Sequence, residues 1–268
     1  MRTRLVSPVC FALGILFALQ LSAQEASPAK STEPRRATNS ATTQIAPAKT
    51  VKVSILKSWG DNSIWDAMST NWQNFGKIPV SVDDTYIDSD FTYQNLVQSK
   101  ANVIVLSNPA GGVKQYSAAE IAAVAKYAKT GHTVIGTYLV FQWSTVDNRG
   151  LAPVFGLSSK IEYNTTQVGI SNLFDKTTKK KECLFNGITG SSWQSEGYAY
   201  TEVPATGDWT GHLAKATAVA ESDKYVGVVT LYTTSKYTGV LVSNFPEYNG
   251  GTDDEQLLYN AVTCYKTK

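Results

Sequence analysis

The sequence predicts an α/β protein: a mostly parallel sheet with helices on both faces, plus a β-rich insertion or edge region. Three observations carry this expectation. Short apolar runs alternate with segments of helical period from Val51 to Phe141, as in chains that wind helices around a parallel sheet. Ala101 to Leu106 and Thr133 to Phe141 are almost wholly apolar, as expected of strands covered on both faces. From Leu157 to Gly211 the pattern breaks into short runs rich in Gly, Ser, Asn and Thr, which assigns the β-rich region.

The elements follow in order. Val51 to Leu56 alternates and is β-branched, so it reads as a strand. Ile64, Met68, Trp72 and Phe75 recur at helical spacing. Val80 to Ile87 is a second strand and Tyr93 to Ser99 a short helix. Ser117-Ala-Ala-Glu120 is a capping box, in which hydroxyl and carboxylate each satisfy an orphan amide. Ile121, Val124, Ala125 and Ala128 then form one helical face, and Gly131 closes it. Further strands are expected over Lys215 to Glu221, Tyr225 to Thr233 and Tyr237 to Ser243, the last two joined by Thr-Ser-Lys as a hairpin. A second capping box, Thr252-Asp-Asp-Glu255, opens a final helix that buries Leu258, Ala261, Val262 and Tyr265. This order is the flavodoxin-like layout.

The N-terminus reads as an address. Arg2 and Arg4 precede the apolar run Phe11 to Leu21, and Leu21-Ser22-Ala23 is a small-residue exit, so residues 1–23 are expected to be a secretory signal. The run is too short to span a bilayer, and Cys10 precedes it, which argues against a lipid anchor. Residues 24–50 are rich in Ala, Ser, Thr and Pro and lack aromatics, the composition of a disordered linker. One folded domain is expected over residues 51–268, in a secreted or periplasmic protein with no membrane span. The signal and linker hold six basic and two acidic residues; removed from totals of 24 and 22, they leave 18 against 20, a net charge of −2. That balance gives no basic face for nucleic acid. Within the domain Cys183 and Cys264 are either a disulfide or two buried thiols, since sequence does not supply their separation.

The chemistry-bearing residues are sparse. His132 and His212 are the two histidines. His132 starts its strand, away from the carboxyl ends where ligands gather in open α/β sheets, and reads as a surface or edge residue. His212 has no Gly-x-Ser-x-Gly elbow to serve. Scattered Cys and His lack zinc spacing, and Asp83, Asp84, Asp88 and Asp90 lack the Gly and terminal Glu of a calcium loop. No cofactor is expected. Trp59, Trp143, Trp193, Trp209, Tyr198 and Tyr200 fall in loop-like segments, where they either pack the fold or present rings to a sugar or a partner.

Several segments together resemble, in order, the glutamine amidotransferase-like domains, including their trehalose-utilisation-type branch. Ala101-Asn-Val-Ile-Val-Leu-Ser-Asn-Pro-Ala-Gly-Gly112 is similar to the third strand and Gly-rich oxyanion loop of that family. Gly131-His-Thr-Val-Ile-Gly-Thr-Tyr138 resembles the strand that ends at the nucleophile elbow, and Asn148 to Gly156 the short helix beyond it. Leu184-Phe-Asn-Gly-Ile188 resembles the segment that leaves the sheet and returns. Val240 to Glu247 is similar to the strand and His-Pro-Glu turn that supply the base, here Phe245-Pro-Glu247. The resemblance places Tyr138 where the family has its nucleophilic Cys and Phe245 where it has His. Neither side chain performs acyl transfer, which needs a nucleophile and a base in reach of each other.

The sequence therefore leads to the expectation of an exported, non-catalytic domain that binds a small molecule or an envelope or extracellular protein. Trp59, Asp61, Asn108, Gly111, Tyr138, Trp143 and Glu247 follow or flank strand ends and are the candidates to line its site. The alternative is a secreted hydrolase of carbohydrate or peptide that works through Glu247 or Asp61.

Overall fold

The computed structural model describes residues 49–59, 63–70, 75–76, 78–159, 161, 171–174, 183–188, 192–194, 217–221, 226–243, 245–247 and 252–265. All of them belong to one compact unit, residues 46–268. The signal and nearly all of the linker, Asp61, Trp72, Tyr198, Tyr200, Trp209 and His212 lie outside the described residues.

The described strands are β1 (Val51–Leu56), β2 (Val80–Tyr86), β3 (Val103–Ser107), β4 (Thr133–Thr137), β5 (Gln142–Trp143), β6 (Val146–Asp147), β7 (Ser171–Phe174), β8 (Ser192–Gln194), β9 (Thr217–Glu221), β10 (Val226–Thr233) and β11 (Thr238–Val242). The helices are α1 (Ser63–Thr70), α2 (Tyr93–Ser99), α3 (Ala118–Ala128) and α4 (Thr252–Cys264). Nine strands form one sheet in the order β2-β1-β3-β4-β11-β10-β9-β7-β8. From β2 to β11 every pairing is parallel; from β11 to β8 every pairing is antiparallel. The expected β-rich region is thus an antiparallel extension of the same sheet, and its edge strands β7 and β8 come from the stretch where the sequence pattern broke. A separate hairpin, β5-β6, stands beyond β4.

Two cores show that both faces are covered. On one face Val53, Ile55, Val103, Val105, Ile135, Val240 and Val242 meet Trp65 and Met68 of α1 and Leu257, Leu258, Ala261 and Val262 of α4. On the other, Ile104, Leu106, Val134 and Leu241 meet Leu96 of α2 and Val124, Tyr127 and Ala128 of α3. Alternate residues of one strand feed opposite faces, so each parallel strand reads as a continuous apolar run. Burial of one such side chain is worth about 1.5–3 kcal/mol.

Local rules set the boundaries. The Ser117–Glu120 capping box forms as the sequence predicts, and a second, Thr92 with Asn95, starts α2. α4 includes Thr252 as its first residue, one position earlier than a Thr252 cap implies. The strand expected over Thr133 to Phe141 ends at Thr137, because Tyr138 takes a positive φ of 43° and turns the chain out of the sheet. A 3-10 segment, Arg149–Phe155, packs on the α3 face and ends at Gly156 with φ 71°. A Cβ on Gly156 would sit 2.5 Å from the Tyr232 ring. Gly156→Ala is therefore expected to cost about 2 kcal/mol by chemical denaturation, through left-handed strain and overpacking together; an unchanged midpoint would refute that account.

Cys183 and Cys264 are bridged, with Cα atoms 5.7 Å apart. The bond ties the turn Cys183–Phe185 to the end of α4. Asn260 Nδ2 reinforces the tie by donating to the carbonyls of Leu184 (2.8 Å) and Asn186 (2.7 Å).

Candidate functional site

The carboxyl ends of β1, β3, β4 and β11 are zipped at one level. Trp59 N–H donates to the Ser107 carbonyl (2.9 Å), Asn108 N–H to Thr137 (3.2 Å) and Tyr138 N–H to Val242 (2.9 Å). Backbone strain concentrates there. Of the six described non-glycine residues with positive φ, five lie at this end: Lys57, Asn108, Val113, Tyr138 and Ser144. The sixth, Lys100, is the C-cap of α2, a common place for such a residue. Left-handed valine and tyrosine are costly and persist where surrounding structure enforces them, most often at functional sites.

Glu247 sits at the centre, 1 % exposed. Its Oε1 accepts from Ser107 Oγ (2.6 Å) and from Thr137 Oγ1, the last residues of β3 and β4. Its Oε2 is buried with no hydrogen-bond partner among the described residues. Burial raises its pKa to about 7; the two hydroxyl donors pull the other way, and the Asp254 charge adds to the rise. The group is therefore half-protonated near neutral pH.

An aromatic layer covers the same strand ends. Tyr138 and Phe245 stack with centroids 5.0 Å apart and planes 13° apart. Trp59 meets Phe245 at 5.3 Å and 57°. Tyr138 and Phe245 are 6 % and 7 % exposed, whereas Trp59 and Trp143 are half-buried at the margin of the cluster. Ala110, Leu139 and Val146 complete it. Asn108 is buried, its Oδ1 without a partner among the described residues, and its side chain fills the space a Cβ on Gly111 would need. Of the sequence candidates, then, Trp59, Tyr138 and Trp143 join one cluster, and Asn108, Gly111 and Glu247 sit on the strand ends beside it. Asp61 lies outside the described residues, and Trp193 is in β8, remote in sheet order.

Sequence reasoning missed three participants. Phe245, which the resemblance singled out only as standing where the family has His, is the central ring of the cluster. Ser107 and Thr137 hold the carboxylate; Ser107 was signalled as the polar residue closing its apolar run, whereas Thr137 lies inside a run that continues to Phe141. The third is an ion network beside the site. Lys57 Nζ lies 2.6 Å from Asp90 and 2.8 Å from Glu120, with Lys57 and Glu120 buried and Asp90 exposed. Burial opposes both buried charges, but the pairing outweighs it: Lys57 is held above its ordinary pKa and Glu120 below its own. Glu120 also accepts from Ser117 N–H and Phe91 N–H. The capping carboxylate of α3 thus fastens the loops after β1 and β2.

The remaining polar candidates have structural partners. Asp83 accepts from Thr85, Asp88 pairs with Lys114, and among the described residues no His, Cys, Asp and Glu cluster forms a metal site. His132 lies just before β4, at the amino end as expected, but is half-buried and stacked on Tyr127 at 4.0 Å, and burial lowers its pKa. No helix of the described residues is long and apolar enough to cross a membrane.

No protein-family model and no curated protein matches the sequence. Solved structures do share its architecture. A GMP synthase-type protein from Thermoplasma acidophilum is 13 % identical with a TM-score of 0.50, over 79 % of this chain and 92 % of that one. A ThuA-like protein from Parabacteroides merdae is 10 % identical with a TM-score of 0.52, over 82 % and 92 %. A cytoplasmic protein from Salmonella typhimurium LT2 is 12 % identical with a TM-score of 0.55, over 82 % and 100 %. At these identities the likeness concerns the fold alone: this chain has the mostly parallel α/β fold of these GMP synthase-type and ThuA-like neighbours.

Proposed function

We propose that this chain is an exported, non-catalytic glutamine amidotransferase-like domain that binds a small ligand or a protein partner at the carboxyl end of its sheet. The stacked Tyr138–Phe245 pair carries the reading. At the two positions where the resemblance puts a nucleophile and a base, two rings rest on each other instead. The strained turns speak for a retained site, because each such residue costs about 1–3 kcal/mol and a purely structural module would gain by relaxing it. The half-buried Trp59 and Trp143 supply the kind of ring surface that carries binding energy. Asn108 Oδ1 and Glu247 Oε2, without partners among the described residues, are polar groups that a bound molecule would satisfy.

A thermal-shift screen of the secreted chain against mono- and disaccharides and amino acids tests this. A ligand at about 100 times its Kd adds about 2.7 kcal/mol, which is about 5–10 °C for a domain of this size. Trp59→Ala is expected to abolish that shift while leaving the unliganded midpoint within a few degrees. Glutamine hydrolysis above the buffer rate would overturn the non-catalytic reading, and a flat screen would overturn the small-ligand reading.

A further inference from the structure

The two ends of the sheet carry opposite charge. The carboxyl end holds Asp88, Asp90, Glu120, Asp147, Glu247 and the first-turn acids of α4, Asp253 to Glu255. The cations described there are ion-paired: Lys57 with Asp90 and Glu120, Lys114 with Asp88, Arg149 with Asp147. The amino end is the reverse. Four of the five segments that enter the parallel strands bring an exposed lysine: Lys49 and Lys52 at β1, Lys100 before β3, Lys129 before β4 and Lys236 before β11. The approaches 49–50, 100–102, 129–132 and 234–237 contain no Asp or Glu. Helix C-termini explain Lys100 and Lys129, since the helices run opposite to the strands and cations suit that end of the dipole. They do not explain Lys49, Lys52 and Lys236.

A cavity of about 430 Å³ opens on this basic face, between the β10-β11 hairpin, the start of β4 and the end of α4. Among the described residues no carboxylate lines it; Lys236 supplies the charge, and Thr133, Thr233, Ser235 and Thr238 are among its hydroxyl residues. Its walls are pinned. Thr133 Oγ1 donates to the Tyr265 carbonyl (2.8 Å), and Thr234 Oγ1 accepts from Lys236 N–H (3.1 Å) and Tyr237 N–H (2.9 Å). Cys264 anchors the third wall through the disulfide. A recess walled by low-dielectric protein and carrying charge of one sign concentrates counter-ions of the other sign.

We infer that this amino-end cavity is a binding site for a small phosphate- or sulfate-bearing ligand, seated on Lys236 and the surrounding hydroxyls. It lies at the opposite end of the sheet from the aromatic cluster, so its occupancy is independent of the function proposed above.

Titration calorimetry with inorganic pyrophosphate and with sulfate tests it. Saturable binding is expected at about 0.02 M salt, weakening by at least tenfold at about 0.5 M, where the Debye length has fallen to a few ångströms. Lys236→Gln, in an exposed turn, is expected to weaken pyrophosphate at least fivefold. Lys126→Gln makes the same change in net charge on the outer face of α3, where Lys126 lies over the Tyr93 ring, and is expected to leave binding within twofold. No heat with either anion at low salt, or equal losses in the two variants, would overturn the site. Capture by phosphatidylglycerol vesicles that pyrophosphate does not compete would also overturn it, since a flat charged face suffices for that.

Discussion

Glu247→Gln is expected to raise the unfolding midpoint at pH 8 and to leave it nearly unchanged at pH 4.5. The folded carboxyl titrates at about 7 against an ordinary 4.5, chiefly because it is buried. Below 4.5 it is protonated whether the chain is folded or not, and its full contribution is present. Between 4.5 and 7 the unfolded chain gives up the proton and the folded chain keeps it, so stability falls as pH rises. Above 7 both are ionised and the loss is complete. Each pH unit in that window costs about 1.36 kcal/mol, or about 3 kcal/mol in all. Glutamine keeps an oxygen for Ser107 and Thr137 and removes the charge; its extra amide proton offsets part of the gain. Of the groups that face Glu247, Asp254 adds like charge from α4, and Ser107 and Thr137 are neutral donors. Denaturant titrations of both proteins from pH 4 to 9 decide the matter. A constant difference between them across that range would show that Glu247 does not hold its proton in the folded chain.

Cys183→Ala/Cys264→Ala is expected to cost about 4–5 kcal/mol. The bridge closes a sequence separation of 81 residues, and in the chain-entropy model a loop of that length restricts the unfolded chain by about 4.5 kcal/mol. For a domain of this size the midpoint should drop by about 10 °C. The bridge also positions Leu184 and Phe185, which are buried against α4. Dithiothreitol should reproduce the loss in the unmodified protein. A midpoint indifferent to reductant would mean that the turn at Cys183–Phe185 is held by Asn260 and its apolar contacts alone.

The sequence by itself determined the layered architecture. Periodicity and capping are local, so α2 and α3 and the apolar runs of β1, β3 and β4 were legible from residues adjacent in the chain. Their alternation then restricts the sheet to few topologies. The end of β4 at Tyr138 was not legible, because an apolar run continues through Phe141 and only the packed turn forces the positive φ. The candidate site was legible in part. Placement after strands picked out Trp59, Asn108, Tyr138 and Glu247, but not that Phe245 lies between two of them. Burial, hydrogen-bond partners and ring stacking join residues more than a hundred positions apart. Ser107, Thr137 and Glu247 become one group only when β3, β4 and β11 lie side by side, and the protonation of that carboxyl depends on what the fold excludes from it. The same holds for charge: lysines scattered along the sequence become one basic face only because the segments entering each parallel strand all arrive at the same end.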